Sequence, residues 1–236
     1  MEKIEIKFTE QERELIIDHT FAGPALTNNL KISEIKGKHM NSNSTQKQCD
    51  VCGTSVSTYD GVYLSNGDTS RFFCSRCYNE SISEAIGLGF DHLSFDPIIL
   101  VDKDDENHTF HFQTRLFGDN VHIQALEIRD NDPKGYEFSI YGDAEDDLFG
   151  LFTKLVERMR RAMERRHIES NDLTRYRITD EDIVRGHITW DDETDGEVPC
   201  LVIDGKELSW HEFGRMLMRY EGFHFKLEIF EGTDER

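Results

Sequence analysis

Apolar positions along the chain follow two rhythms. The longest stretch with a 3.6-residue period is 143–167, DAEDDLFGLFTKLVERMRRAMERRH. Leu148, Leu151, Phe152, Leu155, Val156, Met159 and Met163 recur there on one face. Acids crowd its first turn and arginines its last, as the helix dipole prefers, so one long helix is predicted. Ahead of it, four runs have strand composition: 98–102, 109–117, 121–128 and 136–142. Polar or glycine-bearing breaks at 104–107, 118–120 and 131–135 separate them. Connections this short favour an antiparallel meander.

After the helix the rhythm returns to strands. VRGHITW (184–190) and VPCLVI (198–203) read as strands, Asp204-Gly205 as a tight turn, and KEL as the continuation. Ser209-x-x-Glu212 is a capping box that opens a helix in WHEFGRMLMRY, closed by Gly222. FHFKLEIF (223–230) alternates cleanly, with Phe223, Phe225, Leu227 and Ile229 on one face. Residues 179–236 are therefore expected to form a β-β-α-β unit, following a meander-plus-helix unit at 96–178. At the other end, Thr9-x-x-Glu12 caps an α-rich segment over 1–40, with Leu15 and Ile16 on one face and a break at Gly23-Pro24. That segment is too small to fold alone. NSNSTQKQ (41–48) has no apolar residue and reads as a linker. The fold class expected is α+β, with no internal repeat.

The five cysteines add a chemistry that periodicity does not show. Cys49-x2-Cys52 and Cys74-x2-Cys77 stand 21 residues apart, and Cys200 is alone. Two CxxC pairs at this separation read as a tetrathiolate zinc site, because each pair turns two thiolates toward one ion and the second pair closes the tetrahedron. Four thiolates fill the coordination sphere, so the zinc is expected to be structural. Disulfide pairing is the alternative, disfavoured by the reducing compartment that a start without an apolar leader implies. Gly53 suits the turn of a knuckle, 56–73 reads as a hairpin or short meander, and 78–86 as a short helix closed by Gly87. His92, His108 and His111 could replace a ligand, although His111 alternates with Phe110 and Phe112 as a strand residue would. The order of knuckle, hairpin and then a helix whose first turn supplies the last two ligands resembles treble-clef and zinc-ribbon modules over residues 49–87. The zinc module is placed at 49–88.

Charge narrows the partners. The chain of 236 residues carries 47 acidic and 27 basic side chains, net −20. Residues 81–144 hold net −9 and 179–236 net −10, whereas 145–178 is slightly basic. Such a field repels nucleic-acid phosphates and favours basic protein partners or plain solubility. No apolar run is long enough to span a bilayer, so a cytoplasmic, membrane-free protein is expected.

Wider likenesses point the same way. FHFQTRLFG, the helix from Asp146, CLVIDGKELSWHEFGRMLMRYEGFHFKLEIF and the opening TEQERELIIDHTFAGPALTNNLKISEIKGK resemble bacterial proteins of unknown function that carry a zinc-finger segment. The resemblance implies this architecture and a bacterial cytoplasmic setting, and it brings no activity with it.

Further groups along the chain offer chemistry of their own. Lys154, Arg158, Arg161 and Arg165 fall within one narrow arc of the long helix and could grip phosphates or an acidic partner, or simply be a solvated face. Asp204-Gly205-Lys206 after a buried strand is similar to the carboxylate–lysine half of a Mg²⁺-dependent nuclease core, with Asp191, Asp192, Asp195 or Glu197 as the missing acid; Asp-Gly is equally a hairpin turn. The stretch from Asp191 matches only the first half of an EF-hand loop, since Val202 stands where its last ligand belongs, and reads as an acidic hairpin loop. Cys200 with His187 or His211 could be a nucleophile but sits in an apolar strand pattern, as a buried structural thiol would. Trp190 and Trp210 are expected in the core. No P-loop, GxSxG or GxGxxG is present. The function expected is a non-enzymatic zinc-binding interaction or regulatory protein with an acidic protein-binding surface. The alternative is a nucleic-acid-binding protein or nuclease that uses the basic stripe and Asp204/Lys206.

Overall fold

The computed structural model describes residues 46–65, 70–191, 194 and 196–230. The helix expected within 1–40 and the first part of the 41–48 linker lie outside them. The chain divides into two compact units. One holds the described residues as far as 95 with 113–123 and 141–151, and the other holds 96–112, 124–140 and 152 onward.

The first unit begins with β1 (Gln46–Gln48), which pairs antiparallel with β2 (Ser55–Ser57) across the first CxxC turn. The expected linker therefore ends in a strand: pairing uses backbone groups, so polar Gln-Lys-Gln can form one with both faces exposed. A single 3-10 turn (Thr58–Asp60) leads into β3 (Gly61–Ser65), which forms a hairpin with β4 (Ser70–Cys74). Phe72 and Phe73 of β4 are buried. Gly61 is required where it stands, because a Cβ there would overlap the Phe72 ring. Helix α1 (Ser75–Ile86) starts two residues before the second CxxC is complete, with Cys74 as its N-cap. Gly87 ends it at φ 71°, its N–H turned back toward Glu84 and Ser83 carbonyls, a conformation only glycine adopts without strain.

The four expected strands are present as β5 (Ile98–Val101), β6 (Asn107–Phe117), β7 (Asn120–Arg129) and β8 (Asp132–Asp143), in that order across one sheet. Two-residue turns join β6 to β7 and β7 to β8, so neighbours run antiparallel. The last turn is Asp130–Asn131, with φ of 53° and 63°; positive φ at both positions matches the twist of a two-residue hairpin. The break expected over 131–135 is thus two residues wide. Pro133 is tolerated inside β8 because that strand is an edge.

The long helix is α2 (Leu148–Met163), shorter at both ends than 143–167. Its acidic leader folds as a turn instead: Asp147 Oδ1 accepts the Phe149 N–H, and the Asp143 carboxylate accepts that of Glu145. Asp147 thus satisfies one of the helix's first donors from outside it, and Asp143 fastens the leader itself. Leu151, Leu155, Met159 and Met163 form the buried stripe, four residues apart.

Downstream in the second unit, β9 (Ile168–Asn171) and β10 (Arg175–Ile178) form a hairpin absent from the sequence reading. Its strands are short and charged, with apolar residues at one end of the pairing, Ile168 against Ile178. These two isoleucines share a core with Ile203, Leu208 and Met216, so the boundary drawn after residue 178 cuts through a packed cluster. β11 (His187–Trp190), β12 (Pro199–Ile203) and β13 (Lys206–Ser209) make an antiparallel three-stranded sheet. Helix α3 (Trp210–Leu217) follows with the reciprocal capping box of Ser209 and Glu212. The final strand expected at 223–230 is not formed: these residues have no regular structure and are exposed. Alternation makes a segment able to be a strand, but an edge must receive it, and none of the described strands does. The tryptophans are also not core residues, since Trp190 is 45% and Trp210 49% exposed. In β11, Ile188 and Trp190 share the outward face, which period-2 alternation dictates once His187 and Thr189 face in.

Candidate metal centre

The first cysteine pair is shaped by its own backbone. Cys49 N–H donates to Thr54 O and Gly53 N–H to Cys49 O, each at 2.9 Å, and Gly53 has φ 72°. The knuckle is fastened to the hairpin through Asp50, whose N–H donates to Phe72 O at 2.8 Å while its carboxylate accepts the Phe72 N–H at 2.6 Å. That exchange brings Cys74, two residues on, to the knuckle, where its N–H donates to Cys49 Sγ at 3.3 Å. Cys77 then comes round on the first turn of α1. Ser75 Oγ anchors that turn by donating to Asp60 O at 2.7 Å.

The result is four sulfurs within 4.8 Å of one another, Cys52 Sγ and Cys74 Sγ being 3.8 Å apart. A disulfide needs about 2.05 Å, and all five cysteines are free. Ligands about 2.3 Å from a shared tetrahedral ion stand about 3.8 Å from each other, which is the spacing found. Cys49, Cys74 and Cys77 are buried and Cys52 is exposed. Burial pushes the Cys74 and Cys77 thiols up, and neighbouring thiols raise Cys77 further. Burial acts the same way on Cys52, but hydrogen bonds with Thr54, Cys77 and Cys49 outweigh it and bring it down to about 6. A coordinated cation would bring positive charge into these crowded sulfurs and so deprotonate the thiols outright. The donor set therefore fits a metal ion.

Behind the cysteines, Asn79 of α1 is fully buried and binds β6 on both sides of its amide. Its Nδ2 donates to Thr114 O at 2.7 Å and its Oδ1 accepts Leu116 N–H at 2.9 Å. Gln113 and Arg115 of β6 donate to Tyr59 O. None of the three histidines considered as substitute ligands joins the cysteine cluster. His92 is 2.8 Å from Asn79 Nδ2 through its Nδ1, and burial, then Arg76, lowers it to about 4. His111 lies half-buried in β6.

The other sequence candidates are scattered. Lys154 and Arg161 are exposed on α2, but Arg158 is half-buried and donates to Ser139 O at 2.9 Å. Arg165 lies beyond the helix end, so the helical projection that aligned it with the others does not apply. Asp204 Oδ2 accepts the backbone N–H groups of His167 at 2.7 Å and Ile168 at 2.8 Å. Lys206 Nζ sits 5.9 Å over the Tyr176 ring. Asp204 belongs to neither of the two ligand-type clusters found among the described residues. Cys200 is half-buried, its Sγ 3.3 Å from Leu208 O, and burial, then Glu207 and Asp191, raises its pKa. A thiol held protonated is a weak nucleophile. The second ligand-type cluster, Asp102, Glu106 and His108, escaped the sequence reading. Its signal was an Asp-x3-Glu-x-His spacing across a strand turn, where only His108 was noted. Among the described residues no helix is long and apolar enough to cross a membrane.

Comparison with known families divides the chain into three consecutive segments. Residues 48–89 match a domain of unknown function, DUF7685; residues 91–164 match another, DUF7686; and residues 167–234 match a third, DUF7713. The first spans the four cysteines, the second the meander and long helix, and the third the hairpin of β9 and β10, the three-stranded sheet and α3. No curated protein and no solved structure matches the chain. It is thus similar to three domain families in succession, each without an assigned activity.

Proposed function

We propose that the protein is a non-enzymatic interaction or regulatory protein whose four cysteines hold one structural Zn²⁺ in a treble-clef-like module. The observation that carries the metal is the 3.8 Å sulfur spacing among four free thiols. Zinc is the ion of choice because a closed tetrahedral S₄ set suits it and leaves no position for substrate. The thiols of such a set persist in a reducing, cytoplasmic setting. The net charge of −20 gives the partner-binding surface its sign and points to a basic protein partner. Engagement of the Asp204 carboxylate by backbone amides, and of Arg158 by a carbonyl, weighs against the nuclease and nucleic-acid alternative.

Metal analysis of the purified full chain tests the first half: one zinc per chain is expected, lost in Cys74→Ser. A native pull-down scored for bound protein and bound nucleic acid tests the second. A stoichiometric protein partner that survives nuclease treatment and weakens with salt is expected. Recovery of nucleic acid released by salt, or Mg²⁺-dependent cleavage abolished by Asp204→Asn, would overturn it.

A further inference from the structure

The turn between β5 and β6 carries a second set of ligand-type side chains with no cysteine in it. Ligand atoms of Asp102, Glu106 and His108 all lie within 4.8 Å of one another. His108 is only 4% exposed, and its Nε2 is buried without a hydrogen-bond partner. Asp102 Oδ2 is 3.2 Å from that nitrogen but out of line for a ring N–H to reach it. An orphaned buried ring nitrogen costs free energy unless something takes its lone pair.

The other ring nitrogen is already assigned. His108 Nδ1 is 2.7 Å from Glu127 Oε1, and Glu127 is itself fixed by Arg129 Nε at 2.6 Å and by the Tyr136 N–H at 2.9 Å. Glu127 is therefore an ionised acceptor that holds the Nδ1 proton. Burial opposes charge on His108, but Glu127 and Asp102 outweigh it and raise its pKa. In the neutral ring Nε2 presents its lone pair toward Asp102 and Glu106, and a metal ion there would displace the second proton. A carboxylate behind a histidine, fixing its tautomer and orientation, is the arrangement that metal-ligating histidines use. Asp102 is also preset: its Oδ1 accepts the Asp104 and Glu106 N–H groups at 2.8 and 2.9 Å, leaving Oδ2 free to face the histidine. Ligands about 2.1 Å from a common ion stand about 3.0–3.4 Å apart, and the Nε2 to Oδ2 distance of 3.2 Å falls there.

We propose that Asp102, Glu106 and His108 form a second metal site that takes a first-row divalent transition metal and pins the β5–β6 turn. One imidazole and two carboxylates suit Mn²⁺, Fe²⁺ or Zn²⁺ better than Mg²⁺ or Ca²⁺, which prefer all-oxygen sets. Glu106 is exposed, so the site is open on its side and water completes the sphere.

Mn²⁺ is the probe, because thiolates compete poorly for it and the cysteine centre stays loaded with zinc. The full chain, carrying its zinc, is titrated with Mn²⁺ and free ion is followed by its electron paramagnetic resonance signal. One Mn²⁺ per chain is expected. Glu106→Gln should weaken binding by at least about tenfold, a floor taken from the effect of losing even an outer-shell partner. His108→Gln should abolish it, with the zinc content of both variants unchanged. If His108→Gln fails to fold, the exposed Glu106 variant decides. No Mn²⁺ or additional Zn²⁺ bound at millimolar concentration would overturn the proposal, as would binding unaffected by Glu106→Gln. So would nitrogen NMR showing both ring nitrogens of His108 protonated and unmoved by metal, which would make the group an imidazolium held between Asp102 and Glu127.

Discussion

Asp204 separates a structural from a catalytic reading, and the cost of changing it can be worked from its contacts. The residue sits in the turn between β12 and β13 at φ 49°, in the left-handed region. Its Oδ2 accepts two backbone N–H groups, from His167 and from Ile168, the latter fully buried. Asp204→Ala deletes both acceptors. Hydrogen bonds to a charged group contribute about 1.5 kcal/mol each at the lower end, and Ala in a left-handed conformation costs about 1 kcal/mol more. The expected loss is about 4 kcal/mol. Asp204→Gly removes the same bonds without the backbone strain and should lose about 3 kcal/mol, by the same reasoning. Asp204→Asn keeps an acceptor oxygen and tolerates the positive φ, so about 1 kcal/mol is expected. Urea denaturation followed by tryptophan fluorescence reads this directly, because both tryptophans of the chain, Trp190 and Trp210, flank this turn in sequence. The order Asn, Gly, Ala of increasing damage is the signature. An Ala variant within about 1 kcal/mol of the parent would refute the reasoning, since two unsatisfied amides cannot be that cheap.

Four further outcomes are expected. Chelation of the metal, or Cys74→Ser, should unfold residues 49–86 while leaving the fluorescence transition of the C-terminal elements in place, because structural zinc is coupled to the folding of its own module; amide hydrogen exchange resolved by segment checks it. Asn79→Ala should destabilise the first unit by about 2–4 kcal/mol, since it strands the Thr114 carbonyl and Leu116 N–H in a buried setting; thermal denaturation measures it. His92 and His122, each lowered to about 4 by burial and then by an arginine, should titrate near pH 4 in the folded chain by NMR. Because the unfolded chain takes up those protons first, near 6.5, the first unit should lose stability as pH falls from 6.5 toward 4 and gain none above it; midpoints near 6.5 would contradict this. Phe225→Ser should change stability by no more than about 0.5 kcal/mol, as the side chain is 91% exposed; a larger loss in denaturation would show the segment docked.

What the sequence disclosed depended on how locally each feature is encoded. Two CxxC pairs carry their chemistry in spacing alone, and the structure brings those four sulfurs together. The capping box of Ser209 and Glu212 and the glycine that ends α1 are also short-range devices, and both were legible. The four sheet strands were legible because their alternation is long and their breaks are sharp. The hairpin of β9 and β10 was not, because its four-residue strands are held by one shared apolar end and by core residues 25 to 48 positions away, which no local window contains.

The opposite error, at 223–230, follows from the same logic. A strand is a property of a pair, and a perfectly alternating segment states only half of it. The Asp102–Glu106–His108 set escaped notice for a third reason. Asp and Glu in a polar turn are ordinary, and their significance rests on one fact that periodicity cannot express: His108 points inward, with Glu127 holding one nitrogen and nothing bonded to the other. Glu127 is nineteen residues away in sequence, but it lies on β7, which pairs directly with the β6 strand that carries His108. The sheet register thus turns an unremarkable histidine into a candidate ligand. The spacing of the cysteines states their centre by itself, whereas the Asp-x3-Glu-x-His spacing gains meaning only from the pairing of β6 with β7, so the two sites respond differently to mutation: the first fails with its ligands, and the second fails with its ligands and also with any change that shifts that register.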